Sequence, residues 1–524
     1  MRINLLDCFG KTAADGPGET AVVHKTESIT FGDLQARAQK LANQILDQAG
    51  DVINTPVAVF LPKEIGTVVA DLGILYSANP FMNLDVKTPQ DRIRNIIQLV
   101  RPCAVITSSR FVKKLDGIEL PVILMDGPDL PVGEGGWNLR ARRERLIDTD
   151  PLCLINTSGS TGTPKGVVLN HRSFFDFMDW SIGEFSLDGS ETIGSLSPVV
   201  FDIFDFELCL MMMRGATIVL LDASLASFPA RLLETLHENH VNFIFWVPSI
   251  MVNIANMDLF TKMQPPALKL VWFAGEVFPT KPFLYWYDNM PDTTFVNLYG
   301  PIEITLDCTF HVVKDRPDED KPLPIGVPCR NTDILILNEE DELCKTGEEG
   351  ELCVRGTSLA MGYYNNAEKT NAAFVQNPLN RSYPELIYRT GDIVCRDENA
   401  LIQFRGRKDS LVKHMGYRIE MGEIEHVIIN ELGLVKYCCA VYQFDKKEII
   451  LYYEKAEEIS GAEFRKMLMK KFPAYMIPAV YIRMDLLPRN TNGKIDRLLL
   501  KNKINEVNGD GKDSFDAGGN SSGA

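Results

Sequence analysis

The chain has 524 residues, 24% of them charged, with a formal net charge of −16. A chain this long buries more than one core, so about two or three structural units are expected. The acidic balance argues against a nucleic-acid backbone as partner, since binding of that kind needs a cationic surface.

No run approaches the roughly 18 apolar residues of a membrane span. The N-terminal Met1–Gly10 carries one basic residue and no sustained apolar core, so it does not read as a signal peptide. The eleven cysteines form no C-x-x-C pair and no Cys/His cluster at zinc spacing. They read as reduced, mostly buried small hydrophobes in a cytoplasmic protein with neither a nucleic-acid nor a membrane partner.

In chain order, Val57–Leu61 is a short apolar strand, followed by a helical stretch near 65–77, a helix near 90–100 and a strand at Ala104–Thr107. Arg140, Arg142, Arg143 and Arg145 form a basic cluster that reads as a solvated face. Leu152–Asn156 is an apolar strand that runs into Thr-Ser-Gly-Ser-Thr-Gly-Thr-Pro-Lys-Gly at 157–166. The glycines of that loop let backbone N–H groups converge. With five hydroxyl side chains and Lys165, the chemistry on offer is capture of a polyphosphate. It is not a P-loop, because Pro164 precedes Lys165 and Gly166 follows it.

Phe243–Val247 and Leu270–Ala274 suit buried parallel strands, and the alternation with helices means α/β layers. From about 324 the pattern changes to short strands with glycine turns, as in Asp333–Leu337, Gly350–Gly356 and Leu401–Phe404. This predicts a β-rich subdomain over about 324–406. A charged stretch at Arg407–Ser410 follows, then a compact α+β unit. After Asn505, Gly, Asp, Ser and Asn dominate, the composition of a disordered tail. Gly518–Ser521 reads as linker.

The loop at 157–166, together with Asn297–Glu303, Tyr388–Asp392, Phe404–Asp409, Gly416–Glu420 and Leu487–Lys494, resembles the ordered motif set of the adenylate-forming enzymes. These are the acyl- and aryl-CoA synthetases, the luciferases and the adenylation domains that load amino acids onto carrier proteins. The resemblance covers roughly residues 20 to 500. It implies a large N-terminal domain over 1–406 and a small mobile C-terminal domain over 407–503, with its hinge at Asp409 and the tail at 504–524. The implied reaction is attack of a carboxylate on the α-phosphate of ATP, giving an acyl-adenylate and pyrophosphate.

An anion must approach a polyanion in that reaction, so cations and oriented donors are needed around the phosphates. The resemblance assigns the phosphates to Thr157, Ser158, Gly159, Ser160, Thr161, Gly162 and Lys165. It gives Mg2+ to Glu303, a hard oxygen ligand, and catalysis to Lys494, Glu303 and Thr157. Asn297, Tyr299 and Gly300 belong to the adenine segment. Asp392 would accept both ribose hydroxyls, with Arg407 assisting. Ile302 departs from the threonine usual in the family, which removes one donor.

The substrate class rests on Ser197–Glu207, where Phe201-Asp202 aligns with the Phe-Asp of amino-acid-activating members. In those, the aspartate holds the substrate ammonium. The plain alternative is an aspartate capping a helix that starts near Ile203, and Asp205 lies close enough to compete for the assignment. Phe273–Phe278 resembles a segment of D-alanine–carrier protein ligases, with Ala274 in place of their pocket cysteine. The other pocket positions by alignment are Ile203, Phe206, Phe245, Trp272, Leu298, Leu306 and Asp307. Bulky walls favour a small neutral amino acid, and Asp307 favours a basic one such as ornithine.

The expected function is therefore ATP- and Mg2+-dependent activation of an amino acid, then transfer to the phosphopantetheine of a separate carrier protein. The polar stretch after residue 503 leaves no room for a carrier domain, and basic Arg465–Lys471 is a candidate docking face. The rivals are an acyl- or aryl-CoA synthetase and a nucleotide-binding pseudo-enzyme.

Overall fold

Short β-branched and aromatic runs bounded by turns make the strands of this protein, and apolar stretches at helical spacing fill the spaces between them. The computed structural model describes residues 4–126, 136–157, 164–408, 411–455, 457–489, 495–497, 499–501 and 503. Among these, the chain forms two units, one up to residue 408 and the other from residue 411. Asp409 lies outside the described residues.

The first unit is mixed α/β and is built on three sheets. A nine-stranded sheet runs from Val327–Pro328 through Thr309–Val312, Thr294–Tyr299, Leu270–Phe273, Phe243–Trp246, Thr192–Ser195, Thr217–Leu220 and Thr20–His24 to Glu27–Thr30. A seven-stranded sheet has the order Gly362–Tyr363, Lys165–Asn170, Pro151–Thr157, Phe81–Asn83, Val57–Phe60, Ala104–Thr107 and Val122–Leu124. One apolar core joins facing residues of both, among them Val57, Ile106 and Ile155 with Ile218, Phe243 and Trp272. The helices Ile65–Tyr76 and Asp202–Arg214 contribute to it and are buried almost all round, as a helix between two sheets must be. Alternate residues of the same strands, such as Ile244, Trp246, Val271 and Phe273, face a second core on the other side.

The third sheet is antiparallel and joins Thr332–Leu337, Glu349–Gly356, Leu386–Arg396, Phe374–Gln376 and Ile402–Arg407. The second unit pairs Leu411–His414 with Tyr417–Glu420 and adds a sheet of Tyr437–Gln443, Glu448–Glu454 and Val480–Met484. The helices Met421–His426 and Gly461–Leu468 complete its core.

The expected solvated face at Arg140–Arg145 is corrected for its two middle members. Arg142 is buried, donates to the carbonyls of Ser77 and Val52, pairs with Asp51, and lies 5.5 Å from the Trp137 ring. Arg143 lies 5.4 Å from the Tyr76 ring and 3.6 Å from Asp7. A guanidinium that can spend several donors at once is tolerated inside the fold. Most of the cysteines are buried, as expected of small hydrophobes.

A buried histidine sets one pH dependence. His171 accepts the Leu5 N–H at 3.4 Å, and burial pushes its imidazole from 6.5 down to about 4. The folded form keeps it neutral, while the unfolded chain takes up a proton as pH falls below 6.5. Its contribution is therefore complete above that value and is lost progressively toward pH 4. Between pH 7 and pH 5 the loss is about 2 kcal/mol. The melting temperature of His171→Gln should fall less over that interval than that of the wild type. Parallel melting curves across the range would exclude His171 as the cause.

Candidate active site

The loop at 158–163 joins two antiparallel strands, not a strand and a helix. Pro151–Thr157 pairs with Lys165–Asn170, and Thr157 stands opposite Lys165 at the last rung. The loop residues Ser158, Gly159, Ser160, Thr161 and Gly162 lie outside the described residues, as does Lys494. Thr157 is 5% exposed, and among the described residues its hydroxyl has no hydrogen-bond partner. An orphan hydroxyl of this kind costs about 1–3 kcal/mol, and an incoming oxyanion would satisfy it.

Beside it, Gly362–Tyr363 adds a short antiparallel strand to Lys165–Asn170. The Tyr364 N–H donates to the Gly166 carbonyl at 2.7 Å, and that of Met361 to the Val168 carbonyl at 2.9 Å. This pairing brings the Tyr363 ring to 5.4 Å from the Lys165 ammonium. The Tyr363 hydroxyl donates to Glu303 Oε1 at 2.8 Å. Lys165 and Glu303, far apart in sequence, thus meet through one aromatic side chain that the sequence analysis did not single out. Nothing in the run Met361–Tyr364 marks it as chemical, because its role comes from sheet pairing.

Glu303 is fully buried in the turn Ile302–Ile304, and its backbone carbonyl accepts from Ala360 N at 2.8 Å. The segment around it is closely folded. Cys308 N returns to the Tyr299 carbonyl at 2.8 Å, while Thr305 and Leu306 take left-handed φ values of 52° and 65°. Two consecutive non-glycine residues in that region, one of them β-branched, store strain of about 1–3 kcal/mol each. Gly300 permits the fold-back, since a Cβ there would lie 2.2 Å from the Leu306 carbonyl oxygen.

Among the described residues no group of three His, Cys, Asp or Glu side chains could hold a metal. The donor set fits Mg2+ in another way. One hard carboxylate at Glu303, with phosphate and water oxygens in the remaining positions, matches the octahedral habit of the ion. Such an ion would arrive with the nucleotide and offset charge on its phosphates.

Asp392 lies where two sheets meet. Cross-strand pairing sets it opposite Arg407, whose Nη1 is 2.5 Å from Asp392 Oδ1 and whose Nη2 donates to the Thr390 carbonyl at 3.0 Å. The Tyr299 hydroxyl, from the nine-stranded sheet, donates to the other carboxylate oxygen. Burial, and then the Asp392 charge, push the Tyr299 phenol well above its usual range, so it remains a donor. Asn297 is buried two residues earlier and spends one N–H on the Pro324 carbonyl at 2.8 Å.

Behind this junction, Glu351 braces the strand. It accepts from Gly391 N and Arg389 Nε, each at 3.0 Å, and pairs with Lys408 at 3.4 Å. Sequence reading missed Glu351 because its partners, Arg389 and Gly391 in one strand and Lys408 beyond another, are distant from it in the chain.

Asp202 is the first residue of its helix, with Phe201 at the cap position. Asp202 is partly exposed, whereas Asp205 is buried and accepts from the Cys153 thiol at 3.4 Å. Burial, then Asp71 and Asp202, hold the Asp205 carboxyl well above the usual carboxylate range. The two aspartates are thus sharply different in environment.

Ile203, Phe206, Phe245, Trp272, Ala274, Leu298 and Leu306 are all buried in the core between the sheets. Phe206 lies 5.0 Å from Trp272 and 5.7 Å from Phe245, so these three rings form one packed cluster. Among the described residues the Trp272 indole N–H has no partner. Asp307 is buried next to this group in sequence, just beyond the strained Thr305–Leu306 pair.

The described site thus consists of layered α/β sheets, Lys165 and the buried Glu303 meeting at Tyr363, and the Asp392–Arg407 pair at a sheet junction. The family model described as AMP-binding enzyme matches residues 9–364. The chain belongs to that family, the adenylate-forming enzymes, which use ATP. It is 30% identical to zwittermicin A synthase ZmaJ of Bacillus cereus, over 94% of this chain and 93% of the relative. It is also 30% identical to tyrocidine synthase 1 of Brevibacillus parabrevis, over 94% of this chain, but spans only 44% of that longer relative. The fold matches the Vibrio cholerae adenylation domain AlmE, solved in complex with glycyl-adenosine-5'-phosphate. That similarity has a TM-score of 0.83 at 19% identity and covers 97% of this chain and 98% of the other.

Proposed function

We propose that this protein activates an amino acid with ATP and Mg2+ and passes it to the phosphopantetheine thiol of a carrier protein. In the first step a carboxylate oxygen of the amino acid bonds to the α-phosphorus. The bond from that phosphorus to the bridging oxygen breaks, and pyrophosphate leaves. In the second step the thiol sulfur, having given up its proton, attacks the acyl carbon and AMP departs.

Thr157 and Lys165 hold phosphate oxygens, and Glu303 holds the metal, steadied by Tyr363. Asp392 takes the ribose hydroxyls, and Tyr299, Asn297 and Gly300 shape the adenine side. Lys494 supplies the cation beside the reacting carboxylate. The observation that carries the amino-acid reading is the contrast at the helix start. Asp202 is partly exposed, while Asp205 is buried against Cys153. A carboxylate at this helix start can bind the ammonium of an amino acid, a contact that acids without an amine cannot make. The relative named as a synthase of zwittermicin A and the glycyl-adenylate complex of AlmE support the same reading. Buried bulky side chains around Phe206 and Trp272 favour a small side chain such as that of alanine, glycine or serine, with ornithine as the basic competitor through Asp307.

The test is ATP–pyrophosphate exchange against amino acids of both configurations and a panel of fatty and aryl acids. Exchange driven by a small amino acid is expected. Exchange driven only by acids lacking an amine would make the protein an acyl- or aryl-CoA ligase, and no exchange with any acid would overturn the catalytic reading. Lys494→Ala should lower exchange by about two orders of magnitude or more, in the range seen when a transition-state donor is removed. It should spare thioester formation from a supplied adenylate. Equal loss of both reactions would remove Lys494 from the role given to it.

A further inference from the structure

The strand Thr192–Ser195 ends immediately before the segment that leads to Asp202, and a lysine from the other large sheet reaches that end. Lys63 follows the strand Val57–Phe60, and its ammonium donates to the Ser195 carbonyl at 2.7 Å and the Ser197 carbonyl at 2.6 Å. From there the path to the helix is short and tied down. The Phe201 N–H closes a turn on the Pro198 carbonyl at 3.1 Å, and that of Phe204 bonds to the Phe201 carbonyl at 3.0 Å. Asp202 lies between those two bonds. The Ser195 carbonyl also accepts from Leu221 N at 2.9 Å, so the strand end is held from both sides.

The charge on this lysine is costly where it sits. Its ammonium is 5.8 Å from the buried Phe204 ring, and burial lowers its proton affinity. The nearby counter-charge is Glu207, fully buried and later on the same helix as Asp202. Lys63 in turn holds the Glu207 carboxyl down against the upward push of burial. Asp222, beyond the neighbouring strand, adds a weaker attraction and is itself paired with His24 and Lys25. Carbonyls at a strand end need a donor, but a neutral donor would satisfy them. A charged donor on the Ser195 and Ser197 carbonyls holds more firmly the backbone that leads to Asp202.

We propose that Lys63 is the positioning residue for Asp202, holding the Ser195–Ser197 backbone so that Asp202 meets the ammonium of an amino-acid substrate. This rests on the reading that Asp202 binds that ammonium. Lys63 touches no reacting atom. Its effect is on how well the amino acid is held, not on how ATP is held.

The test uses full-length enzyme in pyrophosphate exchange, with glycine, L- and D-alanine and L-ornithine as probes, and reads KM for amino acid and for ATP separately. Lys63→Met keeps the stem and removes the charge. It should raise the amino-acid KM about tenfold or more, the cost of losing charged hydrogen bonds, while the ATP KM stays within about twofold. Lys63→Arg, which keeps charge and donors, should recover most of the loss. Glu207→Gln should shift the same KM in the same direction by less. If Lys63→Met does not fold, the arginine and glutamine variants carry the comparison.

Amino-acid and ATP constants that rise together would reduce Lys63 to a general structural role and overturn the proposal. So would an unchanged amino-acid KM in Lys63→Met when Asp202→Ala raises it. An unchanged amino-acid KM in Asp202→Ala would instead overturn the ammonium reading, and the proposal with it.

Discussion

Asp392→Asn should raise the KM for ATP by about tenfold or more and lower the melting temperature of the protein. The carboxylate is 4% exposed, accepts from the Tyr299 hydroxyl and pairs with Arg407 at 2.5 Å. Asparagine can offer its carbonyl oxygen to only one of these donors, so its amide N–H groups must face the other. Breaking a buried ion pair on one side costs about 3–5 kcal/mol. The partial exposure of Arg407, at 15%, places this case toward the lower end. The ribose contacts proposed for the remaining acceptor sites of the carboxylate would be lost as well. Hydrogen bonds to a charged group are worth about 1.5–3 kcal/mol, or roughly ten- to a hundredfold in affinity. Pyrophosphate exchange at varied ATP, with a melting curve for each protein, reads both effects. A destabilised variant with an unchanged ATP constant would leave Asp392 as a structural ion-pair partner and give the ribose role to another residue.

Gly300→Ala should be the most damaging single-methyl change in the site. An added Cβ would fall 2.2 Å from the Leu306 oxygen and 2.5 Å from the Asp307 Cα, both backbone atoms that no rotamer change can move. Overpacking typically costs about 1–3 kcal/mol, and here the strained Thr305–Leu306 pair has little freedom left to absorb it. The segment that must give way carries Glu303, so adenylation should fall by about a hundredfold or more, the scale of a misplaced catalytic group. Gly183→Ala, in a helix with open space around the new methyl, serves as the control and should be near neutral. Activity of Gly300→Ala within about twofold of wild type would mean that this segment repacks without moving Glu303.

Much of this architecture is local and therefore readable along the chain. The helices Ile65–Tyr76 and Gln90–Val100 and the strands Ala104–Thr107 and Phe243–Trp246 fall where apolar spacing puts them, since side-chain periodicity is a property of consecutive residues. The hydroxyl-rich loop at 157–166 has a composition that plain flexible linkers share, and only the other motifs, in their order along the chain, gave it meaning. The family followed from the order of such short segments.

What the sequence could not contain is which residues meet across the sheets. Pairing of Gly362–Tyr363 with Lys165–Asn170 brings Tyr363 between Lys165 and Glu303, and pairing of Asp392 with Arg407 sets the carboxylate under Tyr299. Arg142 reads as one member of a charged run and is instead buried among Ser77, Val52 and Asp51. Asp202 and Asp205 share one segment and one residue type. Only the packing of that helix against Cys153 separates the partly exposed carboxylate from the buried one. Residue type sets what a side chain can do, and long-range packing sets its solvation and neighbours, which decide what it does.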